Sequence, residues 1–391
     1  MQIKLQPKID FGRMPIANAF LIPDQFKDEY FFDMILGFDP ATKAIGLVNT
    51  VPPEKMFHDH YAFYSSTSKG MQTHFAETAK KLLPYAGEGL VVEVGSNDGI
   101  MLEAWKELGV SAVGIEPSTN VAEVSRGRGH DVIAKFMSDK VVDEVLARGK
   151  VSLVYGANVS CHIEGFADYL RNVVSLIGRD GVFVFEDPYF LDIVEETSYD
   201  QIYDEHVWYF TISFINHMIE PYGLHVFDCE HIPVHGGELR MYVGHKDKFA
   251  RRPIVDDWLK REQNLEGQIE TLHQNIKKSK IALLNILYQV KKDGKKICGF
   301  GATSKGVIIC NYCGIGPDLI PFITDTTPIK QGKYYPGVHI PIKSQEEFKL
   351  GIDYAFLFAW NHFKEIDEGQ AWFRKSGGKW ITHVPTPRII A

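Results

Sequence analysis

Imidazole, phenol and carboxylate groups gather in three short blocks of this chain. Asn158-Val159-Ser160-Cys161-His162 follows an apolar run that ends at Tyr155, and Tyr203-Asp204-Glu205-His206 leads into Val207-Trp208-Tyr209-Phe210. His235-Gly236-Gly237-Glu238-Leu239-Arg240 is a polar turn entering a further apolar run. A histidine beside a carboxylate can accept a proton near neutral pH while its neighbour holds the ring in place. One histidine alone is more often a hydrogen-bonded structural residue, but three at strand ends or adjoining loops favour a reaction centre. His206 is the candidate general base, with the two acids before it, Asp204 and Glu205, able to supply the group that orients it.

A second set of residues can hold a cofactor. Val91-Val92-Glu93-Val94-Gly95-Ser96-Asn97-Asp98-Gly99 reads as a buried strand and a glycine-containing turn, with a helix expected over residues 100–108. The next strand ends in Gly114-Ile115-Glu116-Pro117, which puts an acid about 20 residues on, where a doubly wound α/β fold holds a ribose diol. The turn does not spell G-x-G-x-x-G, so it lacks the tight glycine pattern that a pyrophosphate needs at a helix N-terminus. S-adenosylmethionine (SAM), an adenosine cofactor without phosphate, suits it better. The candidate cofactor contacts are Gly95, Asn97 and Asp98 in the turn, and Glu116 and Pro117 at the second strand. Phe136 and Asn158, beyond later strands, complete the set.

These groups need a scaffold, and the hydropathy pattern supplies one. Apolar runs of strand length at 91–94, 112–115, 151–155 and 182–185 suit a parallel sheet covered on both faces. Runs at 225–229 and 239–244 read as a closing antiparallel hairpin. A helix over 70–83 presents Met71, Phe75, Ala79, Leu82 and Leu83 as one stripe. Between 251 and 293, Trp258, Leu265, Ile269, Leu272 and Ile276 recur at helical spacing among charges. They predict one amphipathic linker helix lying on the body, with a dimer contact as the alternative. The expected architecture is α/β. An irregular N-terminal cap spans 1–70, a doubly wound Rossmann-like domain 71–250, the linker helix 251–293, and a second, smaller Rossmann-like domain 294–391.

In that last unit, Gly299-Phe300-Gly301-Ala302-Thr303-Ser304-Lys305-Gly306 joins a strand to a helix. Ser304 stands where a third dinucleotide-type glycine would, and Lys305 precedes Gly306, so neither a nicotinamide turn nor a P-loop is spelled. Backbone N–H groups beside Ser304 and Lys305 still suit a phosphate or pyrophosphate, against the plainer reading of a turn kept for packing. Asp325, Lys330, Lys333 and Tyr334 would share that edge. Cys310 and Cys313 have no second pair nearby, which favours packing over metal or redox chemistry. His58, His60 and His74 lack the spacing and the thiolate of a metal site.

Composition narrows the classes. The 391 residues, 45% of them hydrophobic, can bury more than one core. A formal net charge of −8 disfavours a nucleic-acid binder, which needs a basic face. No apolar run reaches the length of a membrane span, and the N-terminus lacks the apolar stretch of a signal peptide. Five cysteines, all from Cys161 onward, form no disulfide framework. The expectation is a soluble cytoplasmic protein, monomer or homodimer, that binds small molecules rather than nucleic acid or membrane.

Further blocks carry a resemblance over nearly the whole chain. They are Phe11 through Leu21, Tyr61 through Ser68 with His74, Glu93 through Gly99, and Asn158-x-x-x-His162. Tyr203-x-Glu205-His206, His235-Gly236-Gly237-x-x-Arg240, Gly299-x-Gly301-Ala302-x-x-Lys305-Gly306 and Asp325-x-x-Pro328-x-Lys330-x-Gly332 continue the series. Together they make the chain similar to the sugar C-methyltransferases that act on nucleotide-linked 4-keto-6-deoxy sugars. The resemblance implies SAM-dependent methylation, with C3 the leading position and C5 the other. It implies that His206 removes the proton beside the ketone, oriented by Glu205. Tyr203 and His162 would contact the keto or enolate oxygen, and Tyr61 would shape the sugar pocket. Ser304, Lys305, Asp325, Lys330, Tyr334 and Arg240 would bind the nucleotide sugar. The family's N-terminal region usually carries cysteines that bind a structural zinc. This chain has none before Cys161, so no such zinc is expected, and Phe11, Ile16 and Phe20 must hold the cap by packing. The competing readings are sugar O-methylation, a nicotinamide-dependent oxidoreductase using the C-terminal glycine turn, and a non-catalytic binding protein.

Overall fold

The computed structural model describes residues 3–52, 55–56, 65–67, 69–234 and 236–390. Tyr61, His58, His60, Ser68 and His235 lie outside the described residues. The N-terminal segment supplies β1 (Gln6–Pro15), β2 (Phe31–Phe38) and β3 (Ile45–Leu47). After α1 (Lys69–Ala86) come β4 (Leu90–Val94), α2 (Ile100–Glu107), β5 (Ala112–Ile115) and α3 (Thr119–Gly127). The alternation continues through β6 (Val132–Ile133), α4 (Asp139–Leu146), β7 (Val151–Ala157), α5 (Phe166–Ile177) and β8 (Val182–Pro188). Then follow α6 (Phe190–Glu196), β9 (Trp208–Tyr209), α7 (Ile212–Ile219), β10 (Leu224–Ile232) and β11 (Glu238–His245).

The central sheet has the order β10-β11-β8-β7-β4-β5-β6. Strands β4 to β8 are parallel, and β11 closes antiparallel on β8. Val91, Val92, Val113, Leu153 and Val154 are buried, as strands covered on both faces require. The hairpin expected from the apolar runs is present as β10 and β11.

The N-terminal segment departs from the irregular cap read from its sequence. β1 pairs antiparallel with β2, β2 with β3, and β3 with β9, forming a four-stranded sheet. Two register shifts interrupt β1, after Pro7 and after Asp10, and Gly12 sits there with φ +78°. These irregularities break the period-2 alternation by which a strand is recognised. Phe11 and Ile16 are buried and Phe20 packs against the same core, so apolar contacts do hold this segment. β9 belongs to the chain that leaves His206 directly, which ties the 203–206 block to the N-terminal sheet.

The connector is two helices, α8 (Pro253–Arg261) and α9 (Leu265–Lys292), rather than one. Between them Asn264 caps α9 by accepting from Gly267 N, and the buried Glu262 accepts from Ile212 N, Ser213 N and the Tyr189 hydroxyl. The apolar face of α9 is buried through Leu265, Ile269, Leu272, Ile276, Leu283, Leu287 and Val290. Each such side chain contributes roughly 1.5–3 kcal/mol over leaving it exposed, so the helix lies on the body.

The second unit runs β12 (Ile297–Phe300), α10 (Ser304–Cys313), β13 (Ile323–Thr324), β14 (Ile342–Lys343) and β15 (Tyr354–Leu357). It ends with α11 (Phe363–Gly369), α12 (Ala371–Lys375), β16 (Lys379–Thr382) and β17 (Arg388–Ile390). Its sheet order is β14-β13-β12-β15-β16-β17, parallel except for the last pair. Cys310 and Cys313 are buried in α10. No helix among the described residues is long and apolar enough to cross a membrane.

Candidate active site

The turn after β4 is held in a shape few side chains permit. Gly95 has φ +69°, Asn97 +46° and Gly99 +86°. A Cβ at Gly95 would overlap the Val159 side chain, and one at Gly99 would overlap Ser125 and His130. At the end of β5, the Glu116 carboxylate accepts from Asn97 N (3.0 Å) and Ser118 N (2.8 Å). Burial raises its pKa, opposed by those two N–H groups. Each carboxylate oxygen has a second lone pair, which leaves Glu116 able to accept from a ribose diol.

Asp98 is fully buried and accepts from Ser66 through both its backbone N–H and its hydroxyl. Asn97 Oδ1 accepts from Ser65 N at 3.1 Å, so the short turn before α1 docks on the glycine turn. Pro117 is half-buried, and Phe136, in the loop after β6, is 64% exposed. Asn158, with φ +54°, follows β7 and donates its backbone N–H to Glu186 O.

The charge at this edge tests the cofactor. Glu93 is raised well above the usual carboxylate range by burial and by the charges of Glu116 and Asp98. Its Oε2, like Ser96 Oγ, is buried without a hydrogen-bond partner among the described residues. With Glu93 held toward its neutral form and Asp98 facing Arg128 at 3.5 Å, the turn offers a ligand the Glu116 acceptor and the unpartnered Glu93 and Ser96 oxygens, which suit a ribose diol and an ammonium rather than a pyrophosphate. SAM carries a sulfonium and an ammonium, so the residues fit it.

The catalytic candidates converge on the same side of the sheet. A short 3-10 turn over Ser160–His162 follows β7, and Val207 N donates to Cys161 O at 2.8 Å, which stitches this turn to the 203–206 block. Tyr203 and His206 meet with hydroxyl and Nε2 3.0 Å apart and ring centroids 4.3 Å apart. His162 stands edge-on to His206 at 5.1 Å between centroids. Its Nδ1 lies 2.7 Å from Glu205 O, which places a proton on Nδ1. Burial lowers the His162 pKa, so the neutral ring predominates near pH 7. A side-chain nitrogen or sulfur atom from each of Cys161, His162 and His206 lies within 4.8 Å of the other two, so the three form one compact cluster.

Supporting acids come from neighbouring residues. Asp204, buried, accepts from Ala17 N at 3.0 Å, and the Glu205 carboxylate accepts from Asn18 Nδ2 at 2.6 Å. The contact made to His206 Nε2 is thus the Tyr203 hydroxyl, while the Glu205 carboxylate anchors the block to the N-terminal segment. Asp204 is pushed up to about 8, by burial first and then by Glu205. Burial pushes Asp187 up to about 7, although it accepts from Cys161 N at 3.1 Å.

The residues expected to bind substrate divide. Arg240 is internal rather than ligand-facing. It donates to Glu186 (2.7 Å), Glu230 (2.8 Å) and Thr78 (2.7 Å), bracing α1 on the sheet. His74 joins this network 2.7 Å from Glu186. In the second unit, Asp325 accepts from Ala302 N and Thr327 N, and Lys330 donates to Ala302 O. Tyr334 forms a β-bridge with Leu21. Ser304 opens α10, whose first turn is capped by the Thr303 hydroxyl. Lys305 instead lies over the Trp360 ring at 4.8 Å, near Asp200 and Glu238 of the first unit.

Sequence reasoning passed over Asp200. It accepts from Trp360 Nε1 at 2.7 Å and lies 3.1 Å from His383 Nε2, joining the two units through a buried contact. The role of Asn18 was also missed, although its place in the Phe11–Leu21 block was a signal.

Fold and site together define a SAM-dependent methyltransferase with an added C-terminal α/β unit. Residues 69–228 match the model of a methyltransferase domain, and residues 233–385 that of a C-methyltransferase C-terminal domain. The chain is 31% identical over 394 aligned residues to the C-methyltransferase NovU of Streptomyces niveus, covering 98% of this chain and 94% of that protein. The chain belongs to this C-methyltransferase family, and its cofactor is SAM. Among solved structures, magnesium protoporphyrin IX methyltransferase from Synechocystis PCC 6803 with bound SAM is similar at TM-score 0.34 and 12% identity. That likeness covers 45% of this chain and 80% of the other. The CcbJ methyltransferase of Streptomyces caelestis gives 0.35 and 14%, over 44% and 89%.

Proposed function

We propose that this enzyme methylates C3 of a nucleotide-linked 4-keto-6-deoxy sugar, using His206 as the base. The observation that carries the reading is the Tyr203–His206 contact at 3.0 Å, with His206 buried and Val159 packed on the cofactor turn. A ketone acidifies the adjacent C–H because the charge left behind spreads onto oxygen. His206 takes that proton, directly or through the Tyr203 hydroxyl that shares its Nε2. Bound SAM supplies a methyl group made electrophilic by its sulfonium. The enolate carbon forms the new C–C bond as the C–S bond breaks, and the ketone is restored.

The Tyr203 hydroxyl is the donor best placed for the developing oxyanion. Neutral His162, with its Nδ1 proton directed at Glu205 O, holds the block in register and donates from Nε2 only when protonated. Tyr61 keeps its proposed place in the sugar pocket. The nucleotide handle is proposed to run past Lys305, which lies near Asp200 and Glu238 of the first unit. Relatedness to NovU supports the carbon-methylating half of this reading.

The test is incubation with SAM and a panel of 4-keto-6-deoxy nucleotide sugars. Mass spectrometry should show gain of one methylene unit, and NMR should place it on C3. Methylation only of sugars lacking the keto group would overturn the mechanism.

A further inference from the structure

One buried acid has no task in this mechanism. Glu238 opens β11, its side chain is fully buried, and neither carboxylate oxygen makes a hydrogen bond of good geometry among the described residues, the Asn158 side chain being the one polar group that approaches it. Burying a carboxyl group without partners is costly, and native folds seldom tolerate it without a reason. Arg240, two residues on and therefore on the same face of the strand, shows the contrast, with three neighbours accepting from its guanidinium.

Its place says what Glu238 awaits. It pairs with Pro188 where β8 reaches the carboxyl edge of the sheet. Glu186 and Asp187 of β8, Asn158 after β7, and Lys305 of α10 are the groups that act on it. Cys161, adjacent to the two catalytic imidazoles, is close enough to feel its charge. Glu238 thus stands between the Cys161–His162–His206 cluster and Lys305 of the second unit, on the line an acceptor reaching both would take. The nearby groups are committed elsewhere. Glu186 is held by Arg240, His74 and Tyr155, Asp187 accepts from Cys161 N, and Lys305 rests on Trp360.

We infer that Glu238 is a specificity-determining residue, whose carboxyl group accepts a hydrogen bond from an O–H or N–H on the sugar ring of the acceptor. The inference rests on the nucleotide-sugar reading above and narrows it. The enzyme selects sugars that keep a hydroxyl or amino substituent facing β11, and disfavours those with only hydrogen there. A site built to pair a buried polar group rejects an analogue that leaves it unpaired, here on the order of 10²-fold or more in kcat/KM.

The experiment uses wild type, Glu238→Gln and Glu238→Ala with matched 4-keto-6-deoxy nucleotide sugars whose ring bears hydroxyl, amino or hydrogen. Wild type should prefer a donor-bearing member by that factor. Glu238→Ala should abolish the preference mainly by losing the favoured substrate. Glu238→Gln keeps a neutral acceptor, so it should retain a hydroxyl-bearing sugar and lose a protonated amino sugar, which distinguishes the two sources. SAM affinity by calorimetry should be unchanged, and melting temperature unchanged or raised because an unpartnered acid has been removed. A wild type without donor preference overturns this inference alone. So does equal loss on every sugar, or a fall in melting temperature with the preference intact. A wild type that methylates no panel member overturns the underlying reading as well.

Discussion

The two glycine turns of this enzyme are built on the same plan and used differently. Each joins a parallel strand to a helix, and each meets an acid at the end of the next strand: Glu116 in one case, Asp325 in the other. Around the first, Glu93 and Ser96 keep buried polar atoms without partners among the described residues. Around the second, the Thr324 hydroxyl is also unpartnered, but most of the polar groups at the turn pair within the fold. Thr303 caps the helix, the Tyr335 hydroxyl accepts from Thr303 N at 3.0 Å, and Lys330 covers Ala302 O. The N-terminal segment then packs on this edge, with Leu21 bridged to Tyr334, Phe26 stacked on His339 at 3.7 Å, and Glu29 bound to Gly337 N and His339. A glycine turn at a helix start is an opportunity for a ligand. Whether it is taken depends on what else reaches the same backbone groups.

The sharpest way to break this contrast is to remove the base from the first unit. His206→Ala or His206→Asn should lower methyl transfer by roughly 10²–10⁴-fold while calorimetry shows SAM affinity nearly intact. A variant that keeps most of its turnover would take the chemistry away from this edge. Next in size is the brace behind it. Arg240→Ala leaves Glu186 buried beside other acids and should cost about 3–5 kcal/mol in denaturant unfolding. A Michaelis-constant change without a stability loss would return Arg240 to the ligand.

The paired acids sharpen the comparison further. Glu116→Ala should weaken SAM binding at least several-fold. Asp325→Ala should leave SAM affinity alone and cost about 1–3 kcal/mol of stability, because Ala302 N and Thr327 N lose their acceptor. The lysines should divide in the same sense, with Lys305→Ala raising KM for the nucleotide sugar and Lys330→Ala acting on stability alone.

The smallest effect is in pH. Asp187 rises from 3.8 to about 7 in the folded protein, so the folded state holds its proton more tightly than the unfolded chain does. The stability linked to that proton is full below pH 4 and is lost as pH rises through about 7. Asp187→Asn should flatten the melting curve against pH by about 1 kcal/mol per pH unit between pH 5 and 7. An unchanged slope would place the titration elsewhere.

Much of this was legible in the chain. The largely apolar runs at 91–94 and 112–115 announced a parallel sheet because strands buried on both faces show no regular polar alternation. His162, Tyr203 and His206 were legible as chemistry because they follow apolar runs or precede an aromatic one. β1 was not, because its bulges scramble the period. The break between α8 and α9 was missed because Asn264 is one polar residue among many, and it reads as a cap only once the turn exists.

By itself the sequence determined the two α/β units, the acid-bearing turn and the blocks from which the proposed catalytic residues come, since these follow from local periodicity and local turn chemistry. Tertiary structure alone decided which turn stays available, that Tyr203 rather than Glu205 meets His206 Nε2, and that Arg240 braces the sheet. Those outcomes depend on contacts between residues far apart in the chain, such as Asn18 with Glu205 and Arg240 with Thr78. Partner choice of that kind is set by packing, and no short-range pattern records it.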